Sequence, residues 1–284
     1  MTAGGFRGTL AWGDKMKKLF LFFLSMIFCM GVACADLEVH FLDVGQADSI
    51  LVLCDGEAML IDGGNKGDSS MVFSYLKEQG VGHLEYIIAT HAHEDHVGGL
   101  AGALNASTAG TAFCPVTKYN TKAFDNFLKY LGAQGIGITI PAPGDTFMVG
   151  GAECLVLGPL DSKADQNNLS IVIRLVYGGV SFLFVGDAER ESELLMLDAG
   201  YDLSSTVLKV GHHGSDTSTT YPFLREVMPQ YAVISVGKGN SYGHPSEATL
   251  SKLRDADAIV YRTDHHGTIV FWSDGEFLSV TTEK

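Results

Sequence analysis

The chain has 284 residues, 46% of them hydrophobic, with 19 basic and 33 acidic side chains and a formal net charge of −14. Such a surface repels nucleic acid at long range and excludes a simple basic nucleic-acid-binding module. Bound cations reverse that sign locally, so a nucleic-acid substrate stays open.

Lys15, Lys17 and Lys18 precede an apolar run from Leu19 to Met30, and Ala33-Cys34-Ala35 offers a small-x-small cleavage site before Asp36. This is the layout of a Sec-type secretory signal peptide, and the apolar run is short for a membrane span. Residues 1–15 fit no signal design, so synthesis is expected to begin at Met16, with residues 1–35 removed on export. Residues 36–284 then form one domain. Taking Arg7, Lys15, Lys17, Lys18 and Asp14 out of the count leaves 15 basic and 32 acidic residues, a charge of −17. Cys54, Cys114 and Cys154 are too scattered for a disulfide framework or a CxxC site and read as buried apolar residues.

Leu37 to Leu42 alternates as a strand does, and Asp43 to Ser49 reads as a polar turn. Ile50–Leu53 and Met59–Ile61 read as a hairpin through Asp55-Gly56. Asp62-Gly63-Gly64 follows, where a carboxylate at a strand end can orient a metal-bound histidine. Helical spacing runs from Ser69 to Gln79. The apolar run Tyr86–Ala89 then leads into Thr90-His91-Ala92-His93-Glu94-Asp95-His96-Val97-Gly98-Gly99. His91 and His93 project from one side of an extended segment, and Asp95 and His96 follow after the chain turns. Three imidazoles and a carboxylate at this density point to a transition metal. The spacing is not that of a zincin helix.

Thr121–Leu131 reads as a helix with a core-facing aromatic stripe, and Gly132–Asp145 as a surface loop. Cys154–Leu157 is a strand. Ile171–Val176 and Val180–Val185 form a hairpin through Gly178-Gly179. Gly186-Asp187 closes its second strand, a good place for a carboxylate shared by two ions, ahead of a helix from Glu191 to Leu197. Val207–Val210 is a strand that ends in Gly211-His212-His213-Gly214-Ser215, a second histidine site with its ligand left open between the two. Ala232–Val236 leads to Tyr242-Gly243-His244-Pro245 and a short helix capped by Ser246. Ile259–Tyr261 begins a last strand pair, and Asp274-Gly275 turns between Ile269–Trp272 and Phe277–Val280. His265 and His266 read as structural.

Several of these motifs, in this order, resemble the metallo-β-lactamase superfamily, and more narrowly the soluble hydrolase domain of ComEC-type competence proteins. The likeness rests on Val44-Gly-Gln-Ala-Asp-Ser49, Asp62-Gly-Gly, the His91–His96 stretch, Asn167-Asn168-Leu-Ser170, Gly186-Asp187, Leu208 to Ser215, Ser235-Val-Gly, Tyr242 to Pro245 and Thr263-Asp264. Bacterial cell-surface phosphorylcholine esterases share part of this set. The resemblance implies an α/β, four-layer αββα sandwich with metals at one edge. It implies His91, His93 and Asp187 at a first ion, with Asn168 standing where many relatives have a histidine and giving at best a weak amide ligand. Asp95, His96, Asp187 and either His212 or His213 would hold a second ion. Oxygen in place of imidazole makes the site harder, so manganese stands beside zinc. The same departure argues against β-lactam hydrolysis.

The implied chemistry is phosphodiester hydrolysis by a metal-bound hydroxide, with Asp95 orienting it and His244, or the spare histidine of the pair, protonating the leaving oxygen. The sequence shows no membrane channel, so the expectation is an exported phosphodiesterase or DNA nuclease that forms no stable nucleic-acid complex. The alternatives are a small-ester hydrolase, such as a surface phosphorylcholine esterase, and a non-catalytic metal-binding module. A basic groove would favour the nuclease, and Lys209, Lys238 and Arg262 are its visible contributors near the motifs.

Overall fold

Strands β1 (Leu37–Phe41), β2 (Ile50–Cys54) and β3 (Glu57–Ile61) pair antiparallel, and the Asp55-Gly56 turn takes positive φ at both residues (51° and 87°). Those are the angles the tight hairpin demands. β3 then runs parallel to β4 (His83–Ile88), β4 to β5 (Thr108–Phe113), and β5 to the short β6 (Ile138–Thr139). In the second sheet β7 (Thr146–Val149), β8 (Ala152–Gly158), β9 (Val172–Tyr177) and β10 (Val180–Phe184) pair antiparallel. It continues in parallel through β11 (Val207–Lys209), β12 (Tyr231–Ile234) and β13 (Ile259–Arg262). The chain returns to the first sheet as the hairpin β14 (Ile269–Ser273) and β15 (Leu278–Thr282), with β14 antiparallel to β1. This computed structural model describes residues 1–2 and 36–284, so the signal-peptide reading lies outside the described residues.

The two sheets face one another across an apolar core that includes Phe41, Val52, Ile61, Ile173, Phe182, Phe184 and Phe271. Phe41 meets Phe271 edge-on with ring centres 6.0 Å apart, and Phe182 meets Phe271 at 5.9 Å. Each such buried side chain contributes about 1.5–3 kcal/mol. Helices α1 (Ser69–Glu78), α2 (Glu94–Val97), α3 (Leu100–Ala106) and α4 (Lys122–Ala133) accompany the first sheet, whose outer face packs against Val72, Leu76, Leu100, Phe124 and Phe127. Helices α5 (Arg190–Ala199), α6 (Tyr221–Val227) and α7 (Glu247–Asp255) cover the second sheet through Met196, Phe223, Leu224 and Leu253. A single turn, α8 (Thr263–His266), links β13 to β14. The order of layers is αββα. Cys54, Cys114 and Cys154 are free and buried.

Three features depart from the sequence reading. Ile259–Tyr261 does not open a pair with the final hairpin; as β13 it lies parallel to β12 in the other sheet. Three strands have no counterpart in that reading, β5, β7 and β6, the last of which lies inside the expected Gly132–Asp145 loop, and neither does helix α6. Asp95 and His96 do not lie in a turn but in a helix that starts at Glu94 and is broken into α2 and α3 at Gly98-Gly99.

That break positions the site. A Cβ at Gly99 would lie 1.8 Å from the Gly63 carbonyl oxygen, and one at Gly98 would lie 2.2 Å from the Lys66 nitrogen. Only glycine lets the loop after β3 close on the segment after β4. The Gly63 N–H donates to the His96 carbonyl at 2.7 Å, and the Gly64 N–H to that of Asp48 at 2.7 Å. The carboxyl ends of β3, β4, β10 and β11 thereby meet at one rim.

Candidate metal centre

Asp62, with φ of 58°, turns its carboxylate back under the His91–His96 loop. It is fully buried and accepts from the Thr90 N–H (2.8 Å), the Thr90 hydroxyl (2.7 Å) and His96 Nδ1 (2.8 Å). Holding Nδ1–H this way leaves His96 Nε2 as a lone pair facing the rim. His91 and His93 stand together, with His91 Nε2 3.0 Å from His93 Nδ1.

Asp187 is the centre of the group. Its Oδ2 lies 3.3 Å from His96 Nε2, 3.9 Å from His91 Nε2 and 3.7 Å from His212 Nε2, and its Oδ1 lies 3.7 Å from His213 Nε2. Asp95 Oδ2 is 3.4 Å from His213 Nε2 and 3.9 Å from His96 Nε2. Asp95, His96, Asp187 and His213 each offer one ligand atom, all within 4.8 Å of one another. His212 and His213 both reach Asp187 because both adopt left-handed backbone (φ 47° and 53°) at the end of β11. Two successive non-glycine residues in that region cost of order 1–3 kcal/mol each. Their outer nitrogens are pinned: His212 Nδ1 to Glu189 Oε1 at 2.9 Å, and His213 Nδ1 to the Ser235 carbonyl at 2.9 Å.

Behind His213 sits an ion pair that the sequence reading missed. Asp48 and Lys209 are both 1% exposed, with Nζ 2.8 Å from Oδ2 and the other carboxylate oxygen 3.4 Å from His213 Nδ1. Lys209 also donates to the Val210 carbonyl at 2.9 Å. Lys209 is therefore not part of any basic groove, contrary to expectation, and Arg262 is clamped by both oxygens of Asp264 at 3.0 and 2.7 Å. Asn168 needs a second correction. Its amide oxygen accepts from the N–H groups of Glu189 (3.1 Å) and Ser192 (3.3 Å), and its nitrogen donates to Asp165, so it caps the start of α5 instead of turning to the histidines.

His96 Nε2, His213 Nε2 and Asp187 Oδ1 are buried and lack a hydrogen-bond partner among the described residues. His96 Nε2 and His213 Nε2 lie 3.3 and 3.7 Å from the two oxygens of the Asp187 carboxylate, an arrangement that fits a divalent cation, which would satisfy the orphaned atoms at once. The electrostatics agree. Burial opposes charge on His213, yet Asp187 and Asp48 outweigh it and raise its pKa to about 10. Burial likewise opposes charge on His96, and Asp187, Asp62 and Asp95 raise its pKa well above the usual histidine range. The carboxylates thus draw positive charge into the pocket, as protons where no metal is bound. His244 stands at the rim, its ring centre 5.6 Å from that of His212, held through its backbone N–H by the Asn240 side chain at 3.1 Å.

A family model described as the metallo-beta-lactamase superfamily matches residues 42–238. ComE operon protein 3 of Bacillus subtilis is 30% identical over 82% of this chain, and competence protein ComA of Neisseria gonorrhoeae 31% identical over 81%. The chain spans about a third of each of those relatives (33% and 31%). Among solved structures, the metallo-beta-lactamase fold protein YhfI from Bacillus subtilis superposes with a TM-score of 0.58 at 11% identity, covering 84% of this chain and all of that one. The metallo hydrolase Igni18 from Ignicoccus hospitalis gives 0.55 at 16%, covering 83% and 98%. On sequence and on fold alike, the chain belongs to the metallo-β-lactamase superfamily.

Proposed function

We propose that the chain is a metal-dependent phosphodiesterase acting on nucleic acid, with two divalent ions, zinc or manganese, at the Asp187 cluster. The observation that carries this is the convergence of four imidazoles on one buried carboxylate, with Asp95 beside it. A structural site would need only four closed ligands. The competence relatives support nucleic acid over other phosphoesters.

Asp95, His96, His213 and Asp187 would hold one ion, and His91, His93 and Asp187 would hold the other. His212 takes the place that Asn168 was expected to fill, because Glu189 holds its Nδ1 and leaves Nε2 toward Asp187. Bound ions supply Lewis acidity toward the phosphate and lower the pKa of water. The chain's part is to fix the donors. Asp62 sets the ring of His96, Ser235 and Asp48 that of His213, and Glu189 that of His212. Asp95, at the open side, orients the attacking water, and His244 returns a proton to the leaving oxygen.

A substrate panel tests the reading. Protein loaded with Mn²⁺ or Zn²⁺ is given a single-stranded oligonucleotide, a nitrophenyl phosphodiester, a phosphocholine ester and a β-lactam. Cleavage of the first two and loss of activity in Asp187→Ala are expected. Turnover confined to the phosphocholine ester would favour the esterase alternative. Export is a separate proposal, tested by N-terminal sequencing of protein recovered outside the cytoplasm, which should begin at or near Asp36.

A further inference from the structure

Helices α5, α6 and α7, which cover the second sheet, enclose an open cavity of about 600 Å³ whose lining includes Arg190, Thr220, Tyr221, Ser251, Lys252 and the apolar Leu194. Arg190 and Tyr221 are the first residues of α5 and α6, so they follow the carboxyl ends of β10 and β11, the same sheet edge that presents Asp187 and His212. In open parallel sheets ligands gather at that edge.

The cavity and the metal centre share one loop. Glu189 Oε1 takes hydrogen bonds from His212 Nδ1 (2.9 Å) and the Thr217 hydroxyl (2.8 Å), while the Arg190 N–H donates to the Thr217 carbonyl at 3.1 Å. Lys252 Nζ donates to the Ser218 carbonyl at 2.7 Å, and the Ser218 hydroxyl to that of Gly211 at 2.9 Å. A ligand in the cavity thus lies against the far side of the loop that holds His212 and His213.

The charges in this cavity are unusual for so acidic a chain. Arg190 is exposed, and among the described residues no carboxylate lies within ion-pair distance of its guanidinium. Burial lowers the pKa of Lys252, Glu193 and Asp216 work against that, and Arg190 adds a smaller like-charge effect. Glu193 is buried and already accepts from the Thr219 and Thr220 N–H groups. Asp216 is exposed on the shared loop. An exposed guanidinium with no ion-pair partner among the described residues, beside a second cation, is stabilised by an anion. Tyr221 is 45% exposed, and Asp255 fixes its hydroxyl, so its ring offers a held face. A basic pair beside a positioned aromatic ring is the pattern that tracks the backbone and stacks the bases of a single strand.

We propose that this cavity is a subsite for single-stranded nucleic acid, with Arg190 and Lys252 on a phosphate flanking the scissile one and Tyr221 under a base. The proposal rests on the phosphodiesterase reading and narrows it. The subsite repels the trimethylammonium head of phosphocholine and gives a long strand an advantage over a small diester.

The test is fluorescence anisotropy of a labelled twelve-nucleotide single strand with the purified protein in chelator, so that binding does not depend on bound metal. Arg190→Ala and Lys252→Gln should each weaken binding at least fivefold at 0.1 M salt. Each should flatten the log–log salt dependence by about 0.7, the value of one phosphate contact on a single strand. Tyr221→Ala should weaken binding with the salt slope unchanged. Arg225→Ala, an exposed arginine outside the cavity lining, should do neither. Binding by Arg190→Ala and Lys252→Gln equal to wild type, or no binding by wild type up to millimolar strand, overturns the subsite. Binding lost as described, in a protein that cleaves no phosphodiester with any divalent ion, upholds the subsite and removes the catalytic reading.

Discussion

Replacing Lys209 by methionine isolates the support behind the metal centre. Methionine roughly fills the volume and removes the ammonium that lies 2.8 Å from Asp48. Burial alone would raise the pKa of Asp48, and Lys209 first, then His213, hold it below the ordinary carboxylate value. Both partners are 1% exposed, so solvent cannot replace the lost charge. Breaking a buried pair from one side typically costs about 3–5 kcal/mol, because the remaining charge is uncompensated. His213 stays 3.4 Å from the carboxylate and offsets part of this, which places the expected loss near the lower figure, about 3 kcal/mol. Urea unfolding of the metal-free protein measures it. The double variant Asp48→Asn with Lys209→Met removes the stranded charge and should recover at least half of the loss. A single variant within 1 kcal/mol of wild type, or a double variant no better than the single, would mean that Lys209 does not compensate the buried Asp48 charge.

Metal-free protein should lose stability as pH rises from about 6.5 toward 10. The folded pKa of His213 is raised to about 10, so its contribution is complete below the unfolded value and fades through the folded one. Metal-loaded protein should show the opposite trend, since metal displaces those protons; thermal melts across this range with and without chelator check both. His212→Ala should cost one bound ion per chain by elemental analysis, whereas Asn168→Ala should keep both and lose about 1 kcal/mol from the start of α5. His244→Ala should keep its metal and slow diesters with poor leaving groups at least tenfold more than nitrophenyl diesters. Equal slowing of both would remove His244 as the acid.

The strongest local signals in the sequence were those that chemistry makes self-contained. Asp55-Gly56, Gly178-Gly179 and Asp274-Gly275 mark hairpins because the turns need positive φ, and the His91–His96 stretch is dense enough to stand alone. What stayed hidden depends on partners distant in sequence. Asp48 looks like one residue of a polar turn, and Lys209 like a cation at a strand end, until the fold buries them together. The resemblance implied a weak ligand at Asn168, and only the path of α5 shows its amide satisfied by Glu189 and Ser192. Strand β5 escaped notice because Thr108-Ala-Gly-Thr-Ala-Phe113 lacks a β-branched apolar run; its Gly110 faces Glu85, whose carbonyl oxygen a Cβ would meet at 2.9 Å. The choice between His212 and His213 dissolved in the structure, where paired left-handed residues bring both rings to Asp187.

The proposed phosphodiester cleavage depends on divalent ions held at Asp187. Its most direct test is a titration of Mn²⁺ into chelator-stripped protein, with bound metal and cleavage of a labelled single strand measured in the same samples. The account predicts no cleavage in the stripped protein and activity that rises with occupancy to a plateau at two ions per chain. Full cleavage in excess chelator, or none at saturating occupancy, would contradict it.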